Sequence, residues 1–154
     1  MAKDKYYAYD LEYSHILKEI KTPITIYSSR NTTEGKCLET EALWDTGATN
    51  SVLTPKISQK LGLISVDSWY VGGINNEKSS DIVIASIALP NGTFLNDWQF
   101  VVCDIPGADV LVGMDIISKG DFCISNARAK TLFSFVIPPY KEKISYSKLT
   151  TDNN

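Results

Sequence analysis

After Thr22-Pro23 the apolar and polar positions of this chain fall into the pattern of strands. Residues 24–27 alternate and are rich in β-formers, as expected of a strand with one buried face. Residues 37–44 form a second such run and end on the apolar Ala42-Leu43-Trp44. With the polar turn 28–35 between them, the two runs predict a hairpin that delivers the chain into Asp45. Thr54-Pro55 predicts a helix start, with a capping hydroxyl followed by proline at the first helical position, and Gly62 predicts its end after residue 61. Residues 69–71 lead into Gly72-Gly73, and Asn75-Asn76 follow: a glycine-rich turn flanked by strand-like residues. Residues 82–89 are β-branched and apolar, Pro90-Asn91-Gly92 predicts a tight hairpin turn, and residues 94–103 read as the returning strand. Residues 110–112 are wholly apolar, which predicts a short central strand buried on both faces. A short helix over 114–119 is closed by Gly120. Strands over 122–125 and 131–137 precede the stop at Pro138-Pro139.

The pattern divides the chain into three parts. Residues 22–137 carry the all-β domain. Residues 1–21 stand apart as an N-terminal extension, where Leu11, Ile16, Leu17 and Ile20 lie partly on one side of a short helix over 10–21. Residues 138–154 form a polar tail. No segment repeats.

Composition narrows the function classes. The 154 residues are 44% hydrophobic and 21% charged, ordinary for one globular domain with a real core. A net charge of −3 gives no basic footprint, so nucleic acid is not an expected partner. No apolar run reaches the roughly 18–20 residues a membrane helix needs, and no membrane partner is expected. The first ten residues are polar and tyrosine-rich, without the apolar centre of a secretory leader, so a cytoplasmic location is expected. Cys37, Cys103 and Cys123 are odd in number and widely spaced; they fit neither a disulfide framework nor a zinc site, and are expected as reduced, buried thiols. Asn31-Thr32-Thr33 and Asn91-Gly92-Thr93 have the glycosylation spacing but are expected to be turns.

The candidate chemistry lies in the segment Ala42-Leu43-Trp44-Asp45-Thr46-Gly47-Ala48 and the Ser51-Val52-Leu53 that follows. A carboxylate directly after an apolar strand is costly unless hydrogen-bonded or paired. Thr46 supplies a hydroxyl, and Gly47 lets the backbone turn tightly and bring amides toward the carboxylate. Two such carboxylates held close together cannot both ionise easily, so they share a proton: one acts as base on a water, the other as acid on a carbonyl. Asp-Thr-Gly by itself is as readily a turn, so its context decides.

That context resembles the retropepsin-like aspartic proteases, the single-lobe relatives of pepsin. Three features occur in the family's order. They are the apolar strand into Asp45-Thr46-Gly47-Ala48 with Ser51-Val52-Leu53, then Val71-Gly72-Gly73-Ile74 at the place of the family's flap, then Val110-Leu111-Val112-Gly113-Met114-Asp115. The last is closer in form to cellular and bacterial members than to viral ones. The likeness covers about residues 24–136. It implies a closed β barrel with one or two short helices, a single lobe that pairs as a homodimer, with one Asp45 from each subunit. It further implies that Thr46 bonds across to its mate, that Gly47 lies near the substrate backbone, that Ala48 with them supports the catalytic loop, and that Val71, Gly72, Gly73, Ile74 and Asn75 form a flap over an extended peptide. Val112 and Gly113 would lie beneath the dyad, and no metal or cofactor would be needed. The implied activity is endopeptidase cleavage of a peptide or protein substrate. Viral members carry an acidic residue shortly after the catalytic turn and an arginine after the later glycine; here those places hold Thr49 and Met114, so that charged brace is absent.

Other residues fit other chemistries poorly. His15, the sole histidine, lies in the N-terminal extension, which argues against a serine or cysteine protease in one chain. Asp104, Asp109, Asp115 and Asp121 are not followed by Thr-Gly or Ser-Gly, and Asp115 reads as a charge at a helix N-terminus. Trp44, Trp69 and Trp98 read as core or pocket wall. The rival functional reading is a catalytically silent peptide-binding or dimerisation module on the same fold. A further one is an enzyme that processes only itself or one partner.

Overall fold

The computed structural model describes residues 5–28, 35–71 and 78–151; for 69–71, 78 and 151 it gives the backbone path alone. The strands are β1 (Tyr7–Glu12), β2 (Lys21–Tyr27), β3 (Cys37–Trp44), β4 (Val52–Leu53), β5 (Ser65–Val71), β6 (Lys78–Ala88), β7 (Phe94–Val102), β8 (Val110–Val112), β9 (Asp121–Ser125) and β10 (Leu132–Ile137). Three α-helices, α1 (Pro55–Leu61), α2 (Met114–Ile117) and α3 (Tyr146–Thr151), and a 3-10 turn at Ala127–Ala129 complete the described elements.

Seven strands run in the order β2-β3-β8-β4-β7-β6-β5, and β2 also pairs with β6. That extra pairing, Thr25 with Ala88 through Tyr27 with Ser86, closes six strands into a barrel and leaves β5 as a flange. Closure removes two free edges that would otherwise invite pairing with other chains. β8 is buried along its whole length, as its apolar sequence predicts. It lies parallel to β3 and antiparallel to β4, so the ends of β3 and β8 leave the barrel side by side.

The remaining sheet, β1-β10-β9, is antiparallel and corrects the helix expected over 10–21. Residues 7–12 are a strand paired with β10, and no helix follows before β2. Leu11 and the apolar residues after it do not share one helical face. Tyr9 packs instead on Phe133 and Phe135, with ring centroids 5.9 and 6.3 Å away. Those phenylalanines are fully buried, and each lies 4.9 Å from the ring of Trp44, the residue before Asp45. Trp44 is thus core, and it couples the outer sheet to the barrel. Its indole N–H donates to the Thr22 hydroxyl at 2.9 Å, both residues being buried. Thr22→Val leaves that N–H without its partner and is expected to cost about 1–3 kcal/mol; a denaturant midpoint equal to the parent's would refute this.

Residues 90–92 form the predicted hairpin turn: the Leu89 N–H donates to the Thr93 carbonyl at 2.9 Å, and the Asn91 side chain accepts from the Thr93 N–H at 3.0 Å. Helix α1 begins at Pro55 and ends at Gly62, whose φ of 68° is left-handed. Thr54 does not cap α1 with its hydroxyl, contrary to the sequence expectation. That hydroxyl donates to Asp109 Oδ1 at 3.3 Å, while the Asp109 carboxylate also takes a 2.6 Å ion pair from Lys56. The Lys56 hydrogen bond, with smaller help from its charge and from Thr54, holds Asp109 below the usual carboxylate range. A depressed carboxylate stabilises the fold above its unfolded titration near pH ~4 and loses that effect as pH falls through its folded value. Lys56→Met is therefore expected to lower stability by under about 1 kcal/mol at neutral pH. The gap from the parent should close on acidification below pH ~4, and a gap that widened there would contradict the assignment.

The cysteines also differ from expectation. All three are free thiols, but Cys37 is exposed and Cys103 and Cys123 are only half-buried. Cys37 opens β3, where the strand has not yet entered the core. Burial, then the nearby Asp104 charge, pushes the Cys103 thiol up, so it stays protonated at neutral pH. The tail is not wholly irregular, since α3 forms within it and the Tyr146 hydroxyl lies 3.3 Å from Cys123 Sγ.

Candidate active site

Asp45 is the first residue beyond β3, and its N–H donates to the Val112 carbonyl at 3.0 Å, continuing the β3–β8 ladder by one step. The carboxylate therefore stands at the barrel mouth, where two parallel, hydrogen-bonded strands end. It is half-buried, and Oδ1 accepts the Gly47 N–H at 2.7 Å. This is the tight turn the sequence predicts, closed further by the Ala48 N–H to the Asp45 carbonyl at 3.3 Å. A side chain at position 47 would put its Cβ 3.1 Å from Asp45 Oδ1, a crowded approach to the carboxylate. Thr46 and Gly47 are exposed and Ala48 is half-buried, so the turn faces outward from the barrel.

The segment after β8 interlocks with this turn. The Met114 N–H donates to the Ala48 carbonyl at 2.8 Å, and the Asp115 N–H to the Thr49 carbonyl at 3.1 Å. Gly113 lies buried between them. A Cβ there would sit 2.6 Å from the Asn50 carbonyl oxygen and 3.0 Å from that of Ala48. The sequence motifs around Asp45 and Gly113, 68 residues apart, are thus one object in space. Asp45, Thr46, Gly47, Ala48, Val112 and Gly113 are brought together. Val71 ends β5, and Gly72, Gly73, Ile74 and Asn75 lie outside the described residues.

No charged pair links the Asp45 turn to the segment after β8 at positions 49 and 114. Thr49 and Met114, the two positions concerned, join the interlock through main-chain groups: the Thr49 carbonyl and the Met114 N–H. Sequence reading missed three side chains. The fully buried Ser51 hydroxyl donates to Asp115 Oδ1 at 2.7 Å, and Trp98 Nε1 donates to Asp115 Oδ2 at 2.9 Å. Asp115 Oδ1 also accepts the Ile116 N–H at 2.9 Å, which agrees with a charge at the start of α2. Ser51 follows the polar Thr49 and Asn50, so nothing in the linear pattern singles it out. His15 is exposed and contacts Ser14. Among the described residues no cluster of side chains is arranged to hold a metal ion, and no helix is long and apolar enough to cross a membrane.

A single carboxylate at the open end of a barrel, on a turn that exposes its hydroxyl-bearing neighbour, can accept or donate a proton. It cannot alone supply both an acid and a base.

Comparison with known proteins gives this arrangement a family. Residues 32–119, more than half of the chain, match the family described as "gag-polyprotein putative aspartyl protease". A retropepsin-like aspartic protease from Rickettsia conorii aligns with a TM-score of 0.56 at 16% identity, over 89% of this chain and 98% of that one. That likeness bears on the fold. The retroviral protease-like domain of Ddi1 from Leishmania major aligns at a TM-score of 0.49 and 17% identity, over 77% and 95% of the two chains. EIAV protease, solved with the inhibitor HBY-793, aligns at 0.46 and 25%, over 65% and 86%. No curated protein matches the sequence. The family match spans both the Asp45 turn and the Gly113 segment that the barrel interlocks, and the chain belongs to the retropepsin-like aspartic proteases.

Proposed function

We propose that this protein is a homodimeric aspartic endopeptidase in which two copies of Asp45, one from each subunit, activate a water between them. One observation supports this reading above the others: Asp45 stands half-exposed on a hydrogen-bonded turn at the barrel mouth, and the chain holds one Asp-Thr-Gly. The paired carboxylates share a proton; the ionised one draws a proton from the water as it attacks the peptide carbonyl, and the protonated one donates to the carbonyl oxygen. The roles belong to the pair and exchange between subunits. Thr46, exposed beside Asp45, is assigned to bond across the two-fold axis. Gly47 borders the substrate backbone, and Ala48 supports the catalytic loop. Val71, Gly72, Gly73, Ile74 and Asn75 are assigned to the flap, with substrate added as an extended strand. Val112 and Gly113 support the dyad from below. Free thiols suit a reducing compartment, so we place the enzyme in the cytoplasm.

The test is digestion of a diverse peptide library from acidic to neutral pH, with cut sites read by mass spectrometry. Cuts at internal peptide bonds are expected. A protein shown to be dimeric that leaves the whole library intact would favour the silent binding module on the same fold.

A further inference from the structure

We infer that Asp115, held by Ser51 and Trp98, is a positioning residue that sets where Asp45 stands. The inference rests on the catalytic reading of Asp45 given above. Asp115 touches no reacting atom. Its carboxylate collects three donors: the Ser51 hydroxyl and the Ile116 N–H on Oδ1, and Trp98 Nε1 on Oδ2. The Ser51 hydroxyl in turn accepts the Gly113 N–H at 3.0 Å. A continuous chain of hydrogen bonds therefore runs from β7, which carries Trp98, through the start of α2, to the last residue of the Asp45 turn and on to Gly113.

The same aspartate fixes the turn a second time through its backbone, since its N–H holds the Thr49 carbonyl while the preceding Met114 N–H holds that of Ala48. The turn is thus gripped at residues 48, 49 and 51. Ser51 is also locked from the other side, its carbonyl accepting the Val101 N–H at 3.1 Å. Apolar packing alone would let the turn slide, whereas directional bonds, from backbone amides to its carbonyls and through the buried Ser51 hydroxyl, fix both distance and angle.

Placement matters more here than in a one-chain site. A dyad built on a two-fold axis copies any displacement of Asp45 into the partner, so an error in one turn enters the carboxylate separation from both sides. Catalytic geometry tolerates only about 0.5 Å and 10–20° before rate is lost. Substrate affinity, which comes from strand addition along the cleft, does not depend on that separation to the same degree.

Trp98→Phe, Asp115→Asn and Ser51→Ala each break one link, and Trp98→Phe removes a single donor from a half-buried ring. Expected is a fall in kcat of about tenfold with KM changed less than about twofold. The double variant Ser51→Ala with Asp115→Asn should be little worse than either alone, as for members of one unit. Independently of activity, the amides of Gly113, Met114 and Asp115 should exchange with solvent at least about tenfold faster in the variants. Folded variants that keep the parent kcat, or whose amides keep the parent protection, overturn the inference. If the parent cuts no peptide while these amides are still released in the variants, the grip on the turn stands and the catalytic reading of Asp45 is what fails.

Discussion

Asp45→Asn is expected to abolish peptide cleavage, with kcat reduced by at least about 10²–10⁴-fold, while the barrel stays folded. Asparagine has nearly the same shape and keeps an oxygen that can accept the Gly47 N–H, now 2.7 Å from Oδ1, so the turn should survive. What disappears is the ability to take a proton. In a homodimer the substitution enters both halves of the dyad, leaving neither a base for the water nor an acid for the carbonyl. The loss should therefore appear in kcat at every pH, with no shift in optimum that restores it. Thermal unfolding should remain close to the parent's. Cuts that persist at the same bonds in the asparagine variant would place catalysis elsewhere.

Gly113→Ala is expected to damage stability and activity together. Gly113 has φ −94° and ψ −174°, a conformation open to any residue, so the backbone itself does not demand glycine. The demand comes from contact. An added methyl would lie 2.6 Å from the Asn50 carbonyl oxygen and 2.7 Å from its carbon, and both are main-chain atoms that no rotamer can move aside. Either the 45–51 turn shifts or α2 does, and the two are tied by the Met114 and Asp115 amides. Overpacking of this kind costs about 1–3 kcal/mol. Because the atom pushed belongs to the Asp45 turn, cleavage should fall by about a hundredfold even in the folded fraction. Equilibrium unfolding and steady-state cleavage on the same preparation check this. A variant as stable and as active as the parent would show that Gly113 is not the packing point described.

The sequence foretells the barrel strands because their signals are local. Alternation in β2 and β3, the Pro90-Asn91-Gly92 turn and the wholly apolar β8 each lie within a few residues. The N-terminal strand misleads for the opposite reason. Tyr7–Glu12 pairs with Leu132–Ile137, about 125 residues away, and nothing in the ten residues around it records that partner. Their apolar spacing therefore reads as a weak helix until Phe133 and Phe135 provide a surface for Tyr9. Thr54 shows the same limit at smaller scale: its hydroxyl looks like a helix cap, yet Asp109, distant in sequence, claims it.

The site divides along similar lines. Asp45, Thr46, Gly47 and Gly113 are legible because the chemistry of a tight turn and a close backbone approach restricts residue type. Ser51, Trp98 and Asp115 are not, since each is an unremarkable residue until the fold brings serine, indole and carboxylate within hydrogen-bond distance. Asp115 was readable as a helix-terminal charge, and it does accept the Ile116 N–H. Its bonds to Ser51 and Trp98 come from a tertiary arrangement with no linear signature.

The central claim is that one active site needs an Asp45 from each of two copies of the chain, and subunit mixing tests it most directly. Parent protein is combined with increasing amounts of the Asp45→Asn chain under conditions that allow exchange of subunits, and cleavage is measured at fixed parent concentration. If the dyad is shared, only parent–parent pairs cut, and an equal mixture should retain about half the activity of the same parent amount alone, falling toward zero as the asparagine chain is added in excess. Activity that stays constant however much asparagine chain is present, with exchange confirmed, would mean that each chain carries a complete site of its own.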